Sequence, residues 1–268
     1  MDYLVKMYGD YNYLDKLSDD RTKGWTFVDS LPTVLVAVGI YNWTVRRGVE
    51  YMKNRPPYNL KGLILIYNLA VALVNAYILV ETVICITALN YSMYCNESAK
   101  NNRDPYEMRL VNVSWLFYIA KYVEFFDTLF FVLRKKEQNL SFLHIYHHSS
   151  IVFFIWIRVK WFPTGNSFLT IIINSGVHVI MYLYYGLTLL GPKVAKYLWW
   201  KKYLTILQLA QFLFGIYVHA VSLKMNCTFY PKWYIVTEIV YVLIFVFLFS
   251  QFYFQSYSKA LKSTKKSS

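Results

Sequence analysis

The sequence has few charged residues for its length: Asp, Glu, Lys and Arg make up only 16% of 268 residues. A soluble domain of this size usually carries about a quarter. Hydrophobic residues account for 57% of the chain. This balance argues against a wholly water-soluble protein and favours an integral membrane protein. The length is sufficient for one domain, residues 1–268.

Seven windows of about 20 mostly apolar residues have the length that crosses a bilayer as a helix. They are residues 28–45, 63–89, 112–133, 141–157, 166–190, 203–223 and 234–254. The expected fold is therefore all-α, with seven transmembrane helices in a core over residues 28–254. Residues 1–24 contain five Asp, which predicts a solvated segment rather than a targeting peptide.

The distribution of Lys and Arg predicts the orientation. Residues 46–61, 134–140, 191–202 and 256–268 hold 16 of them, and the other connecting segments hold 11. The positive-inside tendency places the richer set in the cytosol. Residues 1–27 are then lumenal, and the tail 255–268 is cytosolic. The Lys265-Lys266 ending resembles a dilysine retrieval signal of the endoplasmic reticulum.

The net charge of +13 is compatible with nucleic acid, anionic lipid or a phosphorylated substrate as a partner. The basic residues lie in short loops beside apolar windows, so we do not expect nucleic acid. Attraction to lipid headgroups and binding of coenzyme A phosphates both remain open. The loop cations that we predict for those phosphates are Arg134, Lys135, Lys136, Lys201 and Lys202.

Cysteine is scarce, with only three residues in the chain. Cys95 and Cys227 lie in predicted lumenal loops, where the redox conditions allow a disulfide, and Cys85 should stay free. No cysteine lies on the predicted cytosolic side, so the usual thiol nucleophile is missing there. Of five Asn-x-Ser/Thr triplets, only that of Asn96 is placed for glycosylation.

Ionisable residues inside predicted spans are costly and mark candidate sites. Lys121, Glu124 and Asp127 recur every third residue, which puts them on one side of a helix. An internal ion pair between Lys121 and Glu124 is a purely structural alternative. Two carboxylates for one lysine leave a negative charge, which requires a histidine or a bound cation as partner.

Three histidines, His144, His147 and His148, share one helix face and predict a reactive site. A single zinc ion bound by these histidines with His178 or Asp127 stays open. Histidine-box di-iron oxidases use about eight histidines by family pattern, whereas this chain has five. A di-iron site is therefore the weaker interpretation.

Two further windows contain polar side chains in mid-span. The first holds Asn174, His178, Tyr182 and Tyr185; an aromatic interfacial belt would account for the tyrosines alone. Tyrosine hydroxyls here could also bind a thioester oxygen or a developing oxyanion. The second holds Gln208 and Gln211, for which interhelical hydrogen bonding is the simpler interpretation.

Four segments together resemble the signature boxes of the ELO family of very-long-chain fatty acid elongases, in order and in spacing. They are KYVEFFDT over 121–128, FLHIYHH over 142–148, HVIMYLYY over 178–185 and TILQLAQF over 205–212. Ile145 follows the first box histidine, where the branch acting on shorter saturated chains has Trp. The sequence is thus similar to the branch acting on very long saturated, monounsaturated or polyunsaturated chains.

The resemblance implies seven helices around an acyl-chain tunnel in the endoplasmic reticulum membrane. It implies the condensation of a long-chain acyl-CoA with malonyl-CoA to 3-oxoacyl-CoA, CO2 and CoA, with no cofactor. Three separate enzymes would complete the cycle: a 3-oxoacyl-CoA reductase, a 3-hydroxyacyl-CoA dehydratase and an enoyl-CoA reductase. A homodimer stays open. A seven-helix receptor or transporter and a metal-dependent lipid hydroxylase are the competing interpretations.

We assign catalytic roles on this basis. His147 is the predicted acyl acceptor, oriented by His144 or His148, with Asp127 or Glu124 fixing its tautomer. His178 and Asn174 would stabilise the malonyl carboxylate or the enolate oxygen. The remaining predicted substrate-binding residues are Lys121, Tyr182, Tyr185, Gln208 and Gln211. Direct attack on bound acyl-CoA, without an acyl-histidine, is the mechanistic alternative.

Overall fold

The computed structural model describes residues 13–96, 100, 102–227 and 230–258, and every regular element in these ranges is helical. The all-α expectation is therefore confirmed. The long helices and α4 are α1 (Leu31–Met52), α2 (Lys61–Ala88), α3 (Pro105–Val123), α4 (Phe125–Leu133), α5 (Phe142–Trp161), α6 (Ser167–Thr188), α7 (Lys201–Lys224) and α8 (Lys232–Tyr253). The predicted dilysine ending lies outside the described residues.

Four helices in the described part of the chain are long and apolar enough to cross a membrane. They are α2, α6, α7 and α8, the last continued to Tyr257. Helices α3 and α5 carry charged or histidine side chains along their length, which lowers their hydropathy. The count of seven spans stays a prediction.

Helix α3 begins seven residues before the predicted window 112–133. The Asp104 side chain caps the amides of Tyr106 and Glu107, at 2.8 and 3.4 Å, and Pro105 occupies the first turn. These are favourable signals for a helix start. Hydropathy missed this turn because it contains Glu107 and Arg109.

The predicted single helix over 112–133 is also interrupted at Glu124, between α3 and α4. The amide of Asp127 donates to the Glu124 carbonyl at 3.1 Å, an i to i+3 bond of the tighter helical kind. This leaves the Val123 carbonyl without its usual helical partner. The Tyr67 hydroxyl from α2 donates to it at 3.2 Å and supplies the partner that a backbone carbonyl needs where water is absent.

The segment before α1 is only partly solvated over its described part: Asp20 and Lys23 are exposed, but other polar side chains are packed, which corrects part of the expectation for residues 1–24. Asp19, Arg21 and Thr22 are buried. The Arg21 guanidinium bonds Asp19 at 2.7 Å, Glu107 at 3.3 Å and Thr164 at 3.2 Å. Pairing of the charges allows their burial, and the segment thereby ties α3 to the α5–α6 turn.

The same end of the bundle holds the predicted disulfide. Cys95 and Cys227 are joined there, with a Cα–Cα distance of 5.1 Å and a sequence separation of 132. Cys85 is free and buried. The side chain of Asn96 donates to Asn166 at 2.8 Å, so glycosylation would require this bond to open. Residues 97–98, which complete that triplet, lie outside the described residues.

We expect Cys95 and Cys227 to resist alkylation under denaturing, non-reducing conditions, and Cys85 to react. Closing so long a loop stabilises the fold by about 3–5 kcal/mol in the chain-entropy model. A reducing agent should therefore lower the melting temperature of the wild type. It should have no further effect on a Cys95→Ser/Cys227→Ser variant. Alkylation of all three thiols without reductant would contradict the pairing.

Candidate active site

A buried charge cluster forms where α3 ends against α6. The Lys121 ammonium lies 2.8 Å from Glu124 Oε1 and 3.0 Å from Asn174 Oδ1. His178 Nδ1 is 3.1 Å from the same Glu124 oxygen. Lys121 and Glu124 are each only 1% exposed. One carboxylate oxygen thus hydrogen-bonds Lys121 and lies within ion-pair distance of a histidine on a neighbouring helix.

This cluster changes the role expected for Lys121. Its ammonium is committed to Glu124 and Asn174, so the internal ion pair that the spacing allowed is present. The Asn174 side chain accepts through Oδ1, which leaves its two N–H groups as donors. Asn174 lines a central cavity between α5, α6, α7 and α8, so these N–H groups are available to a ligand there. Lys121 orients Asn174 rather than presenting a free charge to substrate.

Asp127 has a different partner from the one predicted. The Tyr182 hydroxyl on α6 donates to Asp127 Oδ2 at 2.5 Å. A phenol has one proton to donate, so Tyr182 has none left for a thioester or enolate oxygen. Tyr185 is 40% exposed, and its ring packs on those of Tyr182 and Tyr184. The structure assigns these tyrosines to packing and to fixing Asp127.

The three box histidines of α5 occupy different positions. His147 lines the central cavity, whereas His144 and His148 do not. The ring centroids of His144 and His148 are 4.4 Å apart, and those of His147 and His148 are 5.4 Å apart. The predicted tautomer-fixing bond from Asp127 or Glu124 to His147 Nδ1 is wrong, since this nitrogen has no partner among the described residues, while Asp127 bonds Tyr182 and Glu124 bonds Lys121. Packing on His148 holds His147 instead.

The cavity runs between α5, α6, α7 and α8. One end contains His147, Asn174 and Gln211, and the other contains Arg158, His219 and Glu238. His147 and Arg158 are 11 residues apart on α5, which corresponds to about 16 Å along the helix. The walls between are mainly apolar, with Phe154, Leu169, Phe212, Val218 and Phe245 among the lining residues. The shape suits a linear apolar ligand with a polar group at the His147 end.

Five buried polar atoms near that end have no hydrogen-bond partner among the described residues: Glu124 Oε2, His147 Nδ1, His148 Nδ1, His178 Nδ1 and Gln211 Oε1. A buried polar atom without a partner is costly, and such atoms mark places where a ligand or water completes the bonding. Gln208 differs from Gln211, since its Nε2 reaches Met181 Sδ at 3.6 Å. Gln208 therefore fits the interhelical role.

The loop cations predicted to bind phosphate differ in how far they are already bonded within the protein. Lys135 donates to the carbonyls of Lys53 and Arg55, both at 3.1 Å. Two of its three donors are thus used to hold the α1–α2 loop, which argues against the phosphate-binding role predicted for it. Lys136, Lys201 and Lys202 are exposed, and Arg134 is partly exposed.

The sequence analysis missed a second ion pair inside the bundle. Arg158 on α5 bonds Glu238 on α8 at 2.7 Å, and the Tyr234 hydroxyl donates to Glu238 at 2.6 Å. His219 lies beside this pair, 3.9 Å from Glu238. An acidic residue in the window 234–254 was the available signal, since such residues are rare inside spans.

These features define a helical membrane protein with a buried histidine–carboxylate site at the end of an apolar cavity. The chain matches the ELO family, described as the GNS1/SUR4 family, over residues 26–266, and it belongs to this family. It is 41% identical over 242 residues to mouse very long chain fatty acid elongase 2, covering 90% of this chain and 81% of that protein. It is 39% identical over 253 residues to human very long chain fatty acid elongase 4, covering 94% and 80%.

We expect Lys121→Met to lower the melting temperature strongly. Removing one partner of a buried ion pair leaves the other charge uncompensated, which typically costs about 3–5 kcal/mol. Arg47→Met is the matched control, because Arg47 and Glu50 form an ion pair of the same i, i+3 spacing on the surface. That control should have little effect. Equal shifts for the two variants would contradict the importance of burial at Lys121.

Proposed function

We propose that this protein is a fatty acid elongation enzyme that condenses a long- or very-long-chain acyl-CoA with malonyl-CoA. The products are 3-oxoacyl-CoA, CO2 and CoA, as for a very-long-chain 3-oxoacyl-CoA synthase. The family membership and the names of the relatives support elongation. The observation that carries the chemistry is His147, whose Nδ1 is buried and unpartnered at the end of an apolar cavity.

The first half-reaction transfers the acyl group to His147. A lone pair on the imidazole attacks the thioester carbonyl, and the carbon–sulfur bond breaks as the carbon–nitrogen bond forms. CoA leaves as the thiolate, which takes up a proton. The product is an acyl-imidazole. Histidine is the suitable nucleophile here because no cysteine lines the cavity.

The second half-reaction joins the two substrates. Malonyl-CoA loses CO2, and the electron pair of the broken carbon–carbon bond becomes an enolate. Its carbon attacks the acyl-imidazole carbonyl, and the carbon–nitrogen bond breaks. The released ring nitrogen takes up a proton, which restores His147. Asn174, with its N–H groups turned outward by Lys121, and His178 are the donors that we assign to the enolate oxygen. Such a preorganised donor is typically worth about 3–4 kcal/mol.

We propose that the acyl chain occupies the apolar cavity, which serves as a tunnel enclosed by seven spans. Helices α1, α5 and the α3–α4 pair would complete the seven, in addition to the four apolar helices. A bound chain would exclude water from the acyl-imidazole and so suppress its hydrolysis. The ion pair between Arg158 and Glu238 would lie at the far end, near the terminal methyl group.

The Lys265-Lys266 ending supports an endoplasmic reticulum location. The charge distribution supports an orientation with residues 1–27 in the lumen and residues 255–268 in the cytosol. His147 lies near the start of α5, close to the basic α4–α5 loop, so acyl-CoA would enter from the cytosolic side. The exposed lysines Lys136, Lys201 and Lys202, together with Arg134, are suited to bind coenzyme A phosphates. The reductases and the dehydratase of the cycle would act on the released 3-oxoacyl-CoA.

Incubation with acyl-CoA alone should release one CoA per enzyme and leave an acyl adduct on His147. The physical reason is that the first half-reaction needs no malonyl-CoA. Peptide mass spectrometry locates the adduct, and a thiol assay measures CoA. His147→Ala should show neither signal, nor any elongated product.

The two mechanisms predict different results in this experiment. Product formation without stoichiometric CoA release from acyl-CoA alone would favour direct attack on bound acyl-CoA. A His147→Ala enzyme that condenses at a near-normal rate would contradict the role of His147 in both mechanisms. An adduct on the peptide of His178 would move the nucleophile to α6.

Obstructing the cavity should shorten the products. Val218 lies on the cavity wall of α7, seven residues and about 10 Å beyond Gln211. Val218→Trp should shift the product distribution from an acyl-CoA panel to shorter chains, measured by gas chromatography. Leu213→Trp is the matched control, because Leu213 is on the same helix and 56% exposed. Equal distributions from the two variants would contradict the tunnel assignment.

A further inference from the structure

Two hydrogen bonds connect α1 to the histidine box through a buried threonine. The Tyr41 hydroxyl on α1 lies 2.9 Å from Thr128 Oγ1 on α4. The same Thr128 oxygen lies 2.8 Å from His144 Nε2 on α5. Thr128 is fully buried, and Tyr41 is 5% exposed. Three helices are thus joined by one chain of polar atoms that ends on an imidazole.

The surroundings of Tyr41 hold it rigidly in this position. Its ring stacks on Phe125, with a centroid distance of 4.3 Å and an interplanar angle of 26°. Two turns further along α1, a Cβ added at Gly48 would lie only 2.8 Å from Val132 Cγ1. Helices α1 and α4 are therefore in close contact. The Tyr41 hydroxyl cannot turn away from Thr128 without disturbing this packing.

Proton counting decides which group donates in each of the two hydrogen bonds. Thr128 has one proton, so it can donate either to Tyr41 or to His144. If it donated to Tyr41, the phenol proton would be buried without an acceptor, because no other described residue bonds this hydroxyl. An unsatisfied buried donor is costly. The favoured arrangement has Tyr41 donating to Thr128 and Thr128 donating to His144 Nε2.

We infer that Tyr41 is a positioning residue that, through Thr128, fixes His144 in the tautomer with its proton on Nδ1. The partner on one ring nitrogen determines which nitrogen carries the proton. His144 packs on His148 with ring centroids 4.4 Å apart, and His148 in turn packs on His147. Fixing the first ring therefore fixes the stack that holds the proposed nucleophile. The effect expected on kcat rests on the proposed function, whereas the tautomer assignment does not.

The tautomer can be observed independently of activity. Nitrogen-15 spectra of histidine-labelled protein distinguish protonated from unprotonated ring nitrogens, and five histidines give a tractable spectrum. A spectrum of His144→Gln assigns the His144 signals. The wild type should show His144 protonated at Nδ1 and unprotonated at Nε2. A proton on His144 Nε2 in the wild type would overturn the assignment.

Variants test the hydrogen-bond relay, which runs from Tyr41 through Thr128 to His144. Tyr41→Phe keeps the stacked ring and removes only the hydroxyl, so the His144 signals should become a mixture of tautomers. It should lower kcat about tenfold, the effect of losing roughly one hydrogen bond, with little change in KM for acyl-CoA. Thr128→Val should lower kcat at least as much, and Thr128→Ser, which keeps the hydroxyl, should restore both readouts. Tyr51→Phe is the control, since Tyr51 lies on the exposed side of α1.

The outcomes separate the positioning role of Tyr41 from the proposed function. Unchanged His144 signals and unchanged kcat in Tyr41→Phe would overturn the inference. The same result in Thr128→Val would do so as well. If the wild type elongates no acyl-CoA but Tyr41→Phe still redistributes the tautomers, the proposed function fails and the positioning role stands.

Discussion

The site depends on one buried carboxylate, Glu124, at the junction of α3 and α4. An isolated charge at this depth would be unstable, so the surrounding helices supply Lys121 and His178 as partners. Lys121 in turn sets the direction of the Asn174 side chain, whose carbonyl accepts from its ammonium. A single electrostatic requirement thus places a lysine, a histidine and an amide on the two helices α3 and α6. The donors that we assign to the enolate oxygen follow from this requirement.

The break at Glu124 shows how the backbone accommodates that cluster. A continuous helix over 112–133 would place Lys121, Glu124 and Asp127 on one face. With the tightened turn, Glu124 lies against His178 and Asp127 against Tyr182, one turn apart on the same helix α6. The carbonyl that loses its helical bond is satisfied by Tyr67 of α2. Irregular backbone at membrane depth is tolerated only with such a replacement partner.

The histidines form two layers, one that lines the cavity and one that supports it. His147 alone among the box histidines lines the cavity. His144 is anchored to Thr128, and His148 packs between the other two rings. This arrangement explains how a neutral imidazole could be held rigidly without a carboxylate partner: aromatic packing and a hydroxyl relay replace it. The Arg158–Glu238 pair at the far end of the cavity is a separate structure, held by α5 and α8.

The sequence alone determined the helical class, the segments that form most helices, and the identity of the polar residues around Glu124. It could do so because apolar periodicity and the cost of buried ionisable groups are local properties of the chain. The partners of those residues were decided only by the tertiary structure. Lys121 with Asn174, Asp127 with Tyr182, Thr128 with Tyr41 and Arg158 with Glu238 join different helices. Their pairing depends on how the helices are rotated and packed against one another, and spacing along one helix carries no information about that.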